Sequence, residues 1–300
     1  MDTITRLTEL ARLRAIVDKR CLLAGATRMD VAAADGADQA AFHVVLDGAC
    51  TLELPGRTIG LKAGDAVLLT GSPAHTIRTA GGGPTRSSVE TPGEPFDTIR
   101  SPSGETVADI FCGRYTVDSR AGLLLLRSLP DPLVVTFDAG DDSVRTLTEL
   151  MRAEARSVGP GTAAVLNALS AALFAMMLRR SPSDLTGNTL WTAVGDPRIA
   201  AAVDAVLRDP GADWPVERLA EVAAMSRATF VRHFGRHTGS TVAAFVTMVR
   251  MMVAADLLTA GHATVAAVAG RVGYHSESAF AKAFREATGQ TPGRFRRHSF

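Results

Sequence analysis

One fourteen-residue pattern occurs twice in this chain, fifty positions apart. The first copy, S-R-A-T-F-V-R-H-F-G-R-H-T-G, runs from Ser226 to Gly239; the second, S-E-S-A-F-A-K-A-F-R-E-A-T-G, runs from Ser276 to Gly289. Internal repetition constrains a fold strongly, because both copies must pack in the same way. Two copies are too few for a solenoid and point to two small units facing a partner that itself repeats. Each copy reads as a helix. Its Ser is placed to cap the first turn, and the following Gly suits a left-handed end. Phe230 and Phe234 lie four apart on one face, as do Phe280 and Phe284. Arg232 and Lys282 fall on the opposite side, with Arg236 and Arg285 nearby. Upstream stand two shorter apolar helices, Val216 to Met225 and Thr264 to His275. A short helix, a tight turn and a capped helix with basic residues outward form the DNA-reading helix-turn-helix. Gly273 suits the second turn, whereas Ala224 occupies the corresponding region of the first. The bland alternative is an all-α core with recurring Phe pairs; the basic outer faces weigh against it.

This stretch resembles the AraC family of bacterial transcription regulators. The resemblance is carried by Leu219-Ala220, Ser226-Arg227, F-V-R-H-F ending at Phe234, Thr238-Gly239, R-M-M-V-A-A-D-L-L, R-V-G-Y at Arg271 to Tyr274, and T-P-G-R-F-R at Thr291 to Arg296. It covers about the last hundred residues. It implies two helix-turn-helix units bridged by one long helix, here Thr241 to about Ala260, whose recognition helices enter major-groove segments ~34 Å apart. The residues expected at bases or phosphates are Arg227, Thr229, Arg232, His233 and Arg236 in the first unit. In the second they are His275, Ser276, Ser278, Lys282 and Arg285.

Charge supports the same end. The formal net charge is +1, but residues 198–300 carry 13 Arg and Lys against 8 Asp and Glu, while the remainder carries 19 against 23. A basic end is what phosphate binding requires. No apolar run reads as a membrane span, and the amphipathic start lacks a signal-peptide core. The expected location is cytoplasmic, where structural disulfides are disfavoured, so the three cysteines are candidates for buried thiols, ligands or a redox switch.

Ahead of the repeats the pattern changes twice. Residues 4 to 17 show helical spacing. From about Leu22 to Val117, short alternating runs are separated by Gly and Pro, which predicts a β-sandwich or barrel; residues 81–95 read as a surface loop. Leu123 to Val135 closes this region. Residues 143–180 return to helix: Val144, Leu147, Leu150 and Met151 form one stripe, and Val165, Leu169, Leu173, Met176 and Met177 a broader one. The predicted fold is α+β. A β-barrel domain with these helices spans 1–180, a linker 181–197, and the DNA-binding domain 198–300, opened by Asp196 and Pro197 in N-cap and N1 style; the AraC resemblance implies that the helices at 143–180 form a dimer, the alternative being that they pack only on the barrel.

G-D-A-V-L-L-T-G-S-P-A-H looks like the second half of a cupin motif, with Gly64, Asp65, Pro73 and His75 in place; F-H-V-V-L-D-G looks like a degenerate first half holding His43. One His per half is too few for an enzymatic cupin, so the chain is not expected to be an enzyme. The front end is also similar to the reactive-chlorine-responsive subgroup of the AraC family, through D-K-R-C at Asp18 to Cys21, H-V-V-L-D-G, G-D-A-V-L-L with P-A-H, and F-C-G ahead of a leucine run. That resemblance implies oxidant sensing by Cys21 and Cys112, with Cys50 less favoured. Lys19 and Arg20 beside Cys21 can favour its thiolate. Two versions stay open. Cys21 is oxidised and forms a disulfide with a second cysteine, or Cys21, His43, His75 and Cys112 hold zinc or another soft transition metal. The alternatives are histidines and thiols that only pack, with an organic effector in the barrel, and a metal-dependent cupin enzyme fused to a DNA-binding tail. The family implies an operator duplex, RNA polymerase and a second copy of the chain as partners.

Overall fold

A computed structural model describes residues 3–11, 13–33, 39–117, 126, 129–137, 142–180, 196–261 and 263–297. Its contacts divide the chain into two units. One comprises residues 14–116 and 131–177; the other comprises 1–13, 117–130 and 178–300.

The first unit is a near-closed β-barrel carrying two helices. Its strands are β1 (Leu13–Ala24), β2 (Thr27–Val31), β3 (Gln39–Leu54), β4 (Arg57–Lys62), β5 (Ala66–Leu69), β6 (His75–Arg78), β7 (Arg86–Ser87), β8 (Val89–Thr91), β9 (Asp97–Arg100), β10 (Thr106–Val117) and β11 (Leu133–Val135). The main order is β7-β2-β6-β3-β10-β1-β9-β8, with β5 also on β3, β11 on β5 and β4 on β3. The sixteen-residue β3 serves both sheets: residues 39–48 pair with β10 and 41–44 also with β5, while residues 49–54 pair with β4 and 51–53 with β6. It changes sheets at Gly48, where φ is 74° and an added Cβ would lie 1.8 Å from the Val107 carbonyl oxygen. Glycine there lets the two backbones touch. Inward residues include Leu23, Val45, Leu52, Val67, Leu69, Ile77 and Ile110, with Cys21, Cys50 and Cys112 among them.

Several expectations are corrected here. Helical spacing over residues 4–17 gives way to a strand at Leu13, because Ala15 and Val17 are buried in alternation and join the sheet. The Gly- and Pro-rich stretch 81–95 contains β7 and β8, which pair with β2 and β9. In α2 (Asp142–Arg156) Leu150 is exposed, and Thr148 is buried instead, its hydroxyl satisfied by the Val144 and Arg145 carbonyls. In α3 (Thr162–Arg180) the buried side is Leu166, Leu173, Phe174, Met177 and Leu178, leaving Val165 exposed. Tyr115 fastens this helix to the barrel: its hydroxyl donates to the Ser170 carbonyl at 2.7 Å and its ring lies 4.8 Å from Phe174.

The second unit contains α1 (Thr3–Ala11), which packs on α4 and α7, and the helices α4 (Pro197–Arg208), α5 (Val216–Val222), α6 (Arg227–Thr238), α7 (Val242–Thr259), α8 (Val265–Arg271), α9 (Glu277–Thr288) and α10 (Pro292–Arg297). The helix expected in the chain's front domain therefore packs with helices of the unit that holds both repeats. The upstream helices are shorter than expected, ending at Val222 and Arg271. Both α3 and α7 are long and apolar enough to cross a membrane by length and composition, which the linear reading did not find; α7 buries Phe245, Val249, Met252 and Leu258 within its own unit. The linker expected at 181–197 lies, up to residue 195, outside the described residues, as does most of the leucine run before Leu129.

Candidate functional site

The two repeats build the same object. Ser226 and Ser276 cap α6 and α9, accepting from the Thr229 and Ala279 amides. Gly239 and Gly289 end them in the left-handed region, at φ 65° and 72°. The repeated Thr is part of that ending: Thr238 and Thr288 are buried, and each donates its hydroxyl to the carbonyl four residues back at 2.8 Å while accepting from the amide two residues on. Phe230 packs on Phe234, which meets Phe245 of α7, and Phe280 and Phe284 pack on each other and meet Tyr274 and Phe295 respectively. Arg250 of α7 donates to the Pro210 and Ala212 carbonyls and lies over the Tyr274 ring, which ties the two helix-turn-helix units to one strut.

With the aromatic rings inward, Arg227, Arg232 and Arg236 are exposed on α6, and His275, Ser276, Ser278, Lys282 and Arg285 are exposed at α9. Arg227 is paired with Glu217 at 2.6 Å. Thr229 is half-buried, its hydroxyl 2.9 Å from Ser226 Oγ. His233 is also half-buried and sits on the flank of α6 beside His237 and Asp196, apart from the exposed row. Sequence reasoning did not single out Val231, an apolar side chain 46% exposed next to Arg232. Its signal was an apolar residue out of phase with the Phe pair.

In the barrel, β10 lies between β3 and β1. Cys112 of β10 is the direct cross-strand partner of His43 on β3, and Cys21 stands on β1. Neighbouring strands are about 4.8 Å apart, so the three side chains line up across the sheet: Cys21 Sγ is 3.4 Å from Cys112 Sγ, which is 3.0 Å from His43 Nδ1. His43 Nε2 is 2.8 Å from His75 Nε2, and His75 Nδ1 is 2.8 Å from the Pro73 carbonyl oxygen. A carbonyl only accepts, and this fixes the whole row. His75 donates through Nδ1 to Pro73 and accepts at Nε2; His43 donates through Nε2 and accepts at Nδ1 from the Cys112 thiol; Cys112 Sγ accepts from the Cys21 thiol. Both rings are neutral, since burial lowers their pKa values, that of His43 to about 3 with help from His75. The Cys21 sulfur 3.4 Å away, which opposes a second negative charge beside it, and burial hold Cys112 well above the ordinary thiol range, and burial pushes Cys50 up to about 12.

The cations that adjoin Cys21 in sequence are engaged elsewhere. Arg20 grips Asp109 through Nε and Nη2 and donates to the Ala155 carbonyl, and Lys19 pairs with Glu90 at 2.7 Å. A cavity of about 470 Å³ opens onto His43, His75 and Cys112, with Lys19, Arg28 and Arg114 on its walls. Cys21 is wholly buried behind Cys112. Tetrahedral zinc needs donors at ~2.0–2.3 Å from one point. Here the four donors form a line, and no three of them have ligand atoms all within 4.8 Å of one another; as arranged they do not converge on one ion.

A cupin barrel joined to two helix-turn-helix units with basic reading faces defines a DNA-binding transcription regulator with a sensor domain, not an enzyme. A cupin family model matches residues 2–181, and a helix-turn-helix domain model matches residues 219–298. The chain is 32% identical over 302 residues to an uncharacterized HTH-type transcriptional regulator of Haemophilus influenzae, covering 99% of each. It is 30% identical over 301 residues to the RCS-specific HTH-type transcriptional activator RclR of Escherichia coli, covering 99% of this chain and 97% of the relative. Among solved structures, the DNA-binding domain of AdpA in complex with a target DNA is 36% identical, covering 34% of this chain and 92% of that one with a TM-score of 0.33. The chain belongs to the AraC family of helix-turn-helix transcriptional regulators with an N-terminal cupin domain.

Proposed function

We propose that the barrel is an oxidant sensor in which Cys112 and Cys21 form a disulfide, and that this change alters how the helix-turn-helix units engage an operator. The observation that carries the reading is the 3.4 Å between the two sulfurs at the inner end of a cavity that reaches Cys112. The full-length relative described as RCS-specific makes reactive chlorine the fitting oxidant.

Hypochlorous acid entering the cavity meets Cys112 first. As the sulfur attacks chlorine, its proton passes by way of His43 Nδ1 to the departing hydroxide, which leaves as water, giving a sulfenyl chloride and returning His43 to its neutral form. Cys21 then attacks that sulfur and expels chloride, and its proton leaves to solvent. The balance is two thiols and one hypochlorous acid to one disulfide, water, chloride and a proton. Because Cys112 is held protonated at neutral pH, the neutral imidazole 3.0 Å away serves the first step as a relay for its proton. The sulfurs must approach by about 1.4 Å to reach bonding distance, which shifts β1 against β10.

Reduced protein is treated with hypochlorous acid while thiols are counted and metal content is measured. Rapid loss of two thiols in wild type, and no disulfide in Cys21→Ser or Cys112→Ser, supports the reading; Cys50→Ser still forms it. Zinc released as the thiols disappear would replace it with the ligand version. Unreactive thiols with an oxidant response intact in Cys21→Ser would return the cavity to an organic effector.

The second part of the proposal is assembly. Val165, Leu169 and Met176 of α3 are not fully covered, and an apolar face of this kind fits a second copy of the chain. DNA-bound dimers would then present basic recognition helices to the operator beside RNA polymerase. Light scattering on Val165→Asp tests this: an unchanged dimer mass removes α3 from the interface.

A further inference from the structure

We infer that Asp196, His233 and His237 form a binding site for a divalent transition-metal ion that clamps the start of the DNA-binding domain to the first recognition helix. His233 and His237 are one turn apart on α6, so their rings project from the same flank; the ring centroids are 6.0 Å apart. Asp196 reaches that flank from the N-cap of α4, with Oδ2 3.9 Å from His237 Nε2. One donor atom from each of the three lies within 4.8 Å of the others, and among the described residues no other trio of His, Cys, Asp or Glu does so. Donors around a tetrahedral ion sit about 3.4 Å apart at bond lengths near 2.1 Å, so small side-chain rotations close the set.

Two further observations point to a ligand. His233 Nδ1 is buried and has no hydrogen-bond partner, which is costly for a ring nitrogen unless something else satisfies it. The donor set, two imidazoles and one carboxylate, matches zinc, cobalt or nickel rather than calcium or magnesium, and leaves a coordination position for water. The competitor is Arg198. Its amide donates to Asp196 Oδ1 at 3.0 Å, and its guanidinium contacts both carboxylate oxygens at 3.3 Å. The ion would displace the guanidinium from Oδ2 and leave the capping bond to Oδ1 in place.

The position gives the ion a mechanical role. Asp196 is where the described chain enters the DNA-binding helices, and α6 carries Arg232 and Arg236 on the neighbouring face. Helix positions 232 and 233 are only about 100° apart, so fixing His233 and His237 to Asp196 fixes the roll of the reading face without touching DNA. This inference is independent of the cysteine chemistry, since none of its ligands belongs to the barrel.

The probe is Co²⁺ on the reduced, full-length protein, followed by displacement with Zn²⁺. A visible ligand-field band that saturates at one equivalent without a sulfur-to-cobalt charge-transfer band is expected. Asp196→Asn preserves the N-cap and His237→Gln leaves the helix intact; each should weaken Co²⁺ binding by tenfold or more, a scale that even outer-shell partners of metal sites reach. Zinc should raise the Tm of wild type and not of either variant, with far-UV circular dichroism confirming that both are folded. No saturable band in wild type, or an undiminished band in both variants, overturns the site and leaves an ion-free His–His–Asp cluster.

Discussion

Ala224 and Gly273 hold the same place in the two turns, one residue past the cap of the first helix, and both are left-handed, at φ 50° and 79°. Each donates its amide to the residue three back, Glu221 and Gly270, and the next residue in each case donates to the carbonyl five back. Alignment at a fixed offset of fifty hides this, because the second turn is one residue longer, the extra residue lying between Gly273 and Ser276. Left-handed backbone costs an L-residue about 1–2 kcal/mol, partly offset by the entropy glycine loses on folding. Ala224→Gly should therefore stabilise the protein by up to about 1 kcal/mol. Gly273→Ala should destabilise it, because the new Cβ would sit 2.6 Å from the Gly211 carbonyl oxygen. Denaturant midpoints of the two variants, moving in opposite directions, check this.

Arg232 and Lys282 are exposed at matching positions of α6 and α9. Arg232→Ala and Lys282→Ala should each weaken binding to a specific operator while leaving the thermal midpoint within experimental error. A residue on a phosphate lowers the salt slope by about one unit, whereas an Arg on a guanine edge contributes ~1–3 kcal/mol of base discrimination. Titrations at several salt concentrations separate the two. Unchanged affinity in both variants would remove these faces from the interface.

His43 titrates far below its ordinary value of 6.5, at about 3, because burial and His75 oppose its charge. Below about pH 6.5 the unfolded chain takes up a proton that the folded chain refuses, so folding stability falls with acid between about pH 6.5 and 3. His75, also lowered, adds in the same direction. Urea unfolding across this range should show a decline that is shallower in His43→Gln.

Arg20 and Asp109 form a two-pronged pair with side chains 11% and 6% exposed. Asp109→Ala strands the guanidinium in the barrel wall and should cost about 3–5 kcal/mol, whereas breaking the exposed Arg28–Asp30 pair should leave the unfolding midpoint close to that of wild type. Chemical denaturation of the two variants makes the comparison.

The recognition helices were legible because their signals are local: a Ser cap, Phe at four-residue spacing, a Thr-Gly end. The cupin half-motifs were legible for the same reason, with Gly64, Asp65 and His75 within twelve residues. Cys21, Cys112 and His43 were nominated one by one, but their order in a row depends on β10 lying between β1 and β3, which no local window contains. The thiolate argument for Cys21 read neighbours along the strand, although successive strand residues face opposite sides, which sends Arg20 to Asp109. His233 was assigned to DNA by its place among basic residues. Its contact with Asp196 joins positions thirty-seven apart through the packing of α4 on α6.

The switch of β3 between sheets at Gly48 makes the barrel's wiring indivisible. His43 lies on one side of that point and Cys50 and Leu52 on the other, all on one continuous strand. The strand already carries one extra residue there, Leu46, where its pairing with β10 slips between Val45 and Asp47, so odd-numbered Val45 and even-numbered Cys50 and Leu52 share the inward face. A further single insertion would need a second bulge, or it would turn either His43 or the hydrophobic lining out to water. Descendants of this chain can retune the cavity by substitution, while additions and deletions are confined to the connections at its rim.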